Sequence, residues 1–337
     1  MPDNRASKLA KHPTLPVLYV TCDREVASRK LLSFRLDRSG AIDPETLRTY
    51  DDYFTGNTPD PSLAYDLFRP SILPQENILY LGVSPGKPDA YFAATNRADV
   101  AAVSLDAHGE PARRIATFRF CGKGMYRLRN LWCEPSRRRL YLYDYAFTGS
   151  YQLGEDGLPL STKPTTLPCG INKYFWAYIP EWRRFYCMPP GPQLTVLEFA
   201  SRDELLIGQN ASTPIGTPSN GQMRVSKALQ SVYILSSAPK KELVIYRLTK
   251  QGGLTGLPVT FALGETLAIQ VDDQANRLYA FRKNGTLGVY RLNTDGQIDG
   301  PSQNFLLPCG KVRDILLDKQ TSRLYVACSD PPRNRSK

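Results

Sequence analysis

Histidine is nearly missing from this chain: His12 and His108 are the only two among 337 residues. That scarcity removes the commonest general base and the commonest metal ligand from almost everywhere chemistry could sit. The sharper catalytic motifs are missing too. There is no Gly-x4-Gly-Lys-Ser/Thr loop, no Gly-x-Ser-x-Gly elbow and no His-Glu-x-x-His helix. No apolar stretch approaches the roughly 18 residues that cross a bilayer. The N-terminal run Met1-Pro2-Asp3-Asn4-Arg5-Ala6-Ser7-Lys8 lacks the apolar core of a signal peptide. The seven cysteines form no Cys-x-x-Cys pair and no Cys/His cluster at zinc spacing. Several lie in apolar strand contexts, where a thiol behaves as a small hydrophobe. The expectation is a protein without cofactor, metal or membrane span, in a reducing cytoplasm. The sequons at Asn210-Ala211-Ser212 and Asn284-Gly285-Thr286 are then incidental.

What is abundant is tyrosine, and its placement is periodic. Seven apolar-Tyr pairs run along the chain: Leu18-Tyr19, Leu79-Tyr80, Leu140-Tyr141, Phe185-Tyr186, Val232-Tyr233, Leu278-Tyr279 and Leu324-Tyr325. The tyrosines step by 61, 61, 45, 47, 46 and 46 residues. A period near 46 built from short apolar runs marks a β-propeller blade. Glycines at 122, 170, 216, 264 and 310 repeat the period, stepping by 48, 46, 48 and 46. A third marker is a strand ending followed by a glycine turn: Arg35-Leu36…Gly40, Ser104-Leu105…Gly109, Gln152-Leu153…Gly157, Arg247-Leu248…Gly252 and Arg291-Leu292…Gly296.

The sixth repeat spells out a blade. Leu267–Val271, Arg277–Phe281, Thr286–Asn293 and Ser302–Leu307 read as four strands, with Asn284-Gly285 as a hairpin turn. The chain is therefore predicted to be all-β, a seven-bladed β-propeller of four-stranded antiparallel blades with the last blade incomplete. The blades fall near 6–50, 64–122, 125–170, 173–216, 222–264, 266–310 and 312–328, in one domain over 1–330, before a polar tail at 331–337. The first two intervals carry insertions, Asp51–Gln75 and Ser84–Asp99, of a length that usually signals function or disorder. The seventh repeat ends after two strands.

The run His12-Pro13-x4-Leu18-Tyr19-Val20-Thr21, followed by Leu31-Leu32-Ser33-Phe34-Arg35-Leu36-Asp37 and Gly40, resembles the lactonase-like seven-bladed propellers. That group includes propeller-type bacterial 6-phosphogluconolactonases, fungal muconate-lactonizing cyclases and the related YVTN repeat proteins. The resemblance spans nearly the whole chain as a blade pattern. It implies activity from His, Glu, Asp and Arg side chains around a central channel.

The formal charge of +11 favours anionic partners. In a four-stranded blade, the links between blades share one face with the loops between second and third strands. That face is expected to carry Lys123, Arg127, Lys173, Arg224, Lys311 and Arg313 as ligand- or partner-binding cations. The leading reading is a non-catalytic scaffold that binds a partner protein through this basic face and the inserted loops. The alternative is a hydrolase or cyclase acting on an anionic sugar lactone, with Arg127, Lys173, Glu265, Arg313 and Asp314 as catalytic candidates. There an acid would act as base and cations would stabilise the oxyanion. Aromatics from Tyr141 to Tyr186 interleave with Arg137, Arg138, Arg139, Arg183 and Arg184. Stacking on nucleic acid is the weaker reading of that pattern, because alternating strand aromatics more often pack between blades.

Overall fold

A computed structural model describes residues 6–22, 30–50, 65–67, 70–85, 98–120, 130–143, 148–161, 164–166, 176–188, 193–199, 205–212, 222–236, 242–308 and 312–328. The chain divides into two compact units, one of Met1–Thr166 with Arg313–Asp330 and the other of Leu167–Val312 with Pro331–Lys337.

Among the described residues there are strands and three short 3-10 turns but no α-helix. The fold is a β-propeller of six blades, each an antiparallel meander. The seventh repeat forms only a two-stranded sheet, Val312–Asp318 with Arg323–Cys328. The expected propeller of antiparallel blades with an incomplete last repeat is what the fold shows, and the count of full blades is six where seven blades were expected. The first blade comprises Ala6–Lys11, Val17–Cys22, Lys30–Arg35 and Arg48–Tyr50. The sixth comprises Thr266–Asp272, Arg277–Arg282, Thr286–Arg291 and Gln303–Leu306, within a residue or two of the strands read from sequence.

The second blade has five strands because its innermost one is broken. Tyr65–Leu67 and Ser71–Leu73 both pair with Ile78–Pro85, so the end of the Asp51–Gln75 insertion is blade rather than loop. Pro70 stands in the break, where a residue without an amide donor cannot extend the ladder. Most of the other insertion, Ser84–Asp99, lies outside the described residues.

Alternation along a strand explains the apolar-Tyr pair. Neighbouring residues face opposite sides of a sheet, so the pair packs backward and forward at once. Leu79 packs against the first blade, in a core with Val17, Tyr19 and Leu31. Tyr80 packs against the third, with Leu131, Leu140 and Tyr151. Val232 faces the fourth blade and Tyr233 the sixth. The core is thus a series of layers between blades. Burying each pair fully from water is worth roughly 3–5 kcal/mol before chain entropy is counted.

Candidate functional site

Each blade seam within a unit is fastened by one hydrogen bond that joins two of the sequence markers. The Tyr80 hydroxyl donates to the Gly157 carbonyl at 2.5 Å, Tyr186 to Gly252 at 2.7 Å and Tyr233 to Gly296 at 2.8 Å. Tyr19 donates to Gly109 in the same way. Tyr325 closes the seam from the seventh sheet to the first blade by donating to Gly40 at 2.7 Å. Burial is the main cause of the raised hydroxyl pKa at all five tyrosines, so they remain donors well into the alkaline range.

The glycine turns are pre-shaped by a side chain at their start. Asp106 Oδ1 accepts the amides of His108 and Glu110, and Asn293 Oδ1 those of Asp295 and Gln297. The glycine then sits at positive φ, +80° at Gly252 and +73° at Gly296, leaving its carbonyl aimed at the preceding blade. An arginine reinforces two of these seams. Arg35 pairs with Glu110 at 2.9 Å, and Arg247 with Asp295 at 2.5 Å.

Innermost strands are stitched by a second device. A polar side chain of one strand accepts a backbone amide from the next: Ser71 from Cys133 at 2.7 Å, Gln222 from Ile269 at 3.0 Å, and Asp314 from Leu9 at 2.9 Å. Asp314, a candidate catalytic acid by sequence, is buried and spends one carboxylate oxygen on this bond. Arg224, a candidate cation, lies half-buried in the same layer. Its Nε donates to Gln270 at 3.1 Å and its Nη1 to the Met223 carbonyl at 2.8 Å. Both therefore stitch strands together.

Glu265 and Arg313 differ. Glu265 is exposed, with Lys283 Nζ 3.9 Å away, and Arg313 is exposed at the start of its strand. Lys123, Arg127, Lys173 and Lys311 lie outside the described residues. Among the described residues, no group of three or more His, Cys, Asp or Glu is arranged to hold a metal ion.

Both histidines are in turns. His108 is exposed beside Gly109. His12 is buried, and its Nδ1 accepts from the amides of Thr14 and Leu15 at 3.2 and 3.0 Å. It occupies the position at which Glu134, Ser226, Asp272 and Asp318 cap the equivalent turns in other repeats. Sequence reasoning missed this role because histidine is chemically unlike its counterparts. The signal was its fixed offset from the following apolar-Tyr pair. Burial, with a smaller push from Lys11, lowers the His12 pKa and keeps the ring neutral.

Several solved structures with the same arrangement carry lactonase names, while others, such as one from Desulfotomaculum acetoxidans, are of unknown function. A periplasmic gluconolactonase of Pseudomonas aeruginosa aligns with a TM-score of 0.67 at 14% identity, covering 96% of this chain and 88% of that one. A candidate 6-phosphogluconolactonase of Bacteroides fragilis gives 0.67 at 10% identity, over 90% and 84%. One from Bacteroides uniformis gives 0.65 at 12%, over 90% and 85%. The fold is that of the lactonase-like propellers. No protein-family model matches the sequence, and no curated protein matches it.

A cleft of about 650 Å³ is defined by described residues. It lies on the sixth blade, against Arg277, Val289, Arg291, Asp299 and Gln303. No candidate from the sequence lines it. No helix of the described chain is long and apolar enough to cross a membrane. Cys22, Cys133 and Cys187 are buried and outside any disulfide, as small hydrophobes would be. Cys328 instead takes part in a disulfide.

Proposed function

We propose that the chain is a lactone hydrolase that takes an anionic sugar lactone. The observation carrying this reading is the likeness, over nine-tenths of the chain, to propellers named for gluconolactone and 6-phosphogluconolactone hydrolysis. Net positive charge and the unengaged guanidinium of Arg313 suit an anionic substrate. Hydrolysis adds water across the ring ester. The water oxygen bonds to the carbonyl carbon, the ring C–O bond breaks, and the ring oxygen leaves with a proton. A carboxylate accepting the water proton and a cation beside the oxyanion are the groups the step needs. Glu265 stays a candidate for the first role and Arg313 for the second.

The test is hydrolysis of 6-phosphogluconolactone and gluconolactone, corrected for spontaneous opening. Arg313→Ala is expected to lower kcat/KM about tenfold or more for the phosphorylated lactone. A purified, folded chain that opens neither lactone above background overturns the reading.

Partner binding is the second reading. Its original support was the basic face and the inserted loops. A more specific observation now favours it, the open outer half of the sixth blade. The cytoplasmic expectation carries a condition as well: the Cys328 disulfide would have to be reduced there, since such bonds ordinarily persist in oxidising compartments.

A further inference from the structure

In all five seams within the units, a tyrosine of one sheet reaches the glycine turn of the next. The forward face of the sixth blade bears the donors of such a seam and, among the described residues, none of its acceptors. Tyr279 stands where Tyr19, Tyr80, Tyr186, Tyr233 and Tyr325 stand, yet it is half-buried and meets no glycine carbonyl. Arg291 stands within the last two residues of its strand, as Arg35 and Arg247 do in theirs, but it is exposed and, among the described residues, pairs with no acid. Arg277 precedes its Leu-Tyr pair as Arg323 does. Arg323 donates to the Ser39 carbonyl and, at 2.8 Å, to Ser39 Oγ, while Arg277 is exposed.

These groups share one face. Arg277 is in register with Arg291, and Tyr279 with Val289, which pairs with Gln303. Two arginines directly opposite each other repel. Among the described residues, the cleft they line holds a single acid, the exposed Asp299, so the face keeps a net positive charge that favours a further anionic group. Phe305, 51% exposed, extends the same face outward.

We propose that this face docks a β-hairpin of another polypeptide, whose turn carries a glycine at positive φ beside an Asp or Glu. The proposal rests on the partner-binding reading and names the chemistry of the partner. The glycine carbonyl accepts from Tyr279, the carboxylate pairs with Arg291, and a neighbouring carbonyl accepts from Arg277. The five sister seams supply this occupant, since each presents such a turn to the same tyrosine. The seam glycines of a second copy, Gly40, Gly109, Gly157, Gly252 and Gly296, are engaged in seams of their own, while its Gly264 and Gly300, at positive φ beside Glu265 and Asp299, make self-association the competing outcome of the test. Residues 329–337 do not fit, since they contain no glycine and set Arg333, Arg335 and Lys337 against a single acid, Asp330.

The probe is a synthetic closed hairpin copying residues 286–306, whose turn holds Asp295 and Gly296, titrated into the full chain. Saturable binding is expected, weakened about fivefold by Tyr279→Phe and about tenfold by Arg291→Gln, with both variants keeping the parent's melting temperature. A probe carrying Asp295→Asn and Gly296→Ala should bind at least tenfold more weakly. Equal affinity for parent and variants, or no saturation at millimolar probe, overturns the proposal. So does self-association of the chain that Tyr279→Phe abolishes, which would make the occupant a second copy. Hydrogen exchange of residues 287–306 in the free chain separates the two levels. Fast exchange without probe binding sinks only the stated chemistry, whereas strong protection in the free chain means the face is already covered and sinks the partner-binding reading itself.

Discussion

The hydroxyl of Tyr325 donates to the carbonyl of Gly40, a residue 285 positions earlier in the chain. With the Asp314 bond to the Leu9 amide, it ties the last two strands to the first blade. These strands contribute no ladder to that blade, so side chains carry the junction. Tyr325→Phe removes one buried hydrogen bond and leaves the glycine carbonyl short of a donor. It is expected to cost about 1–2 kcal/mol in urea unfolding. Tyr279→Phe, at the equivalent position without an acceptor among the described residues, should cost less than about 0.5 kcal/mol. Equal losses at the two sites would mean that the seam bond contributes nothing of its own.

Glycine at the seam turns meets two separate demands. A Cβ on Gly252 would lie 2.6 Å from the Tyr186 hydroxyl, and one on Gly296 would lie 2.7 Å from that of Tyr233. Alanine at either position therefore combines left-handed strain with a clash. The expected loss is about 2–4 kcal/mol. Gly300 also has positive φ, +83°, but nothing lies within 4 Å of its would-be Cβ. Gly300→Ala should cost only about 1 kcal/mol. Comparing midpoints of denaturant unfolding for these three variants isolates the clash from the strain.

The blade period is legible in the sequence because tyrosine and glycine are fixed by a local rule applied many times. Along the chain the two stand as separate markers, whereas they are opposite ends of one bond between successive blades. Chain spacing reports distance along the chain, and the bond runs between sheets, so the link was not visible. Asp314 shows the same gap more sharply. Its charge beside a blade link suggested chemistry, but its use is set by the Leu9 amide, 305 residues away. The inner strand of the second blade was hidden differently. Pro70 splits it into two three-residue pieces, each too short to show alternation.

The capping role of His12 has a pH signature. The folded ring has a pKa below the ordinary 6.5, chiefly through burial, so the unfolded chain binds a proton that the fold refuses. The stabilisation is complete above about pH 6.5 and is lost as pH falls below it toward the folded value. The slope from this one group cannot exceed about 1.4 kcal/mol per pH unit. His12→Asn keeps a side-chain oxygen to accept the Thr14 and Leu15 amides. It should match the parent near pH 8 and lose less stability between pH 6.5 and 5. Parallel curves for the two proteins across that range would exclude His12 as the titrating group.

The disulfide at Cys328 fastens the end of the final strand, beyond the seam made by Tyr325. A crosslink there restricts the unfolded chain and holds a two-stranded sheet that lacks outer neighbours. Reduction, or Cys328→Ser, should cost about 2–4 kcal/mol. The loss should concentrate locally, because Tyr325 and Ala327 are the residues of this sheet in the core shared with Leu9, Leu18 and Val20. Hydrogen exchange should therefore speed up first in Arg323–Cys328 and in the first-blade strands Ala6–Lys11 and Val17–Cys22. Amides of the fifth blade, whose core is built from Tyr233, Leu243 and Ile245, should exchange unchanged. Uniform acceleration across both units would instead mean that the crosslink acts on global unfolding, and no acceleration at all would mean that the bridge does not form in solution.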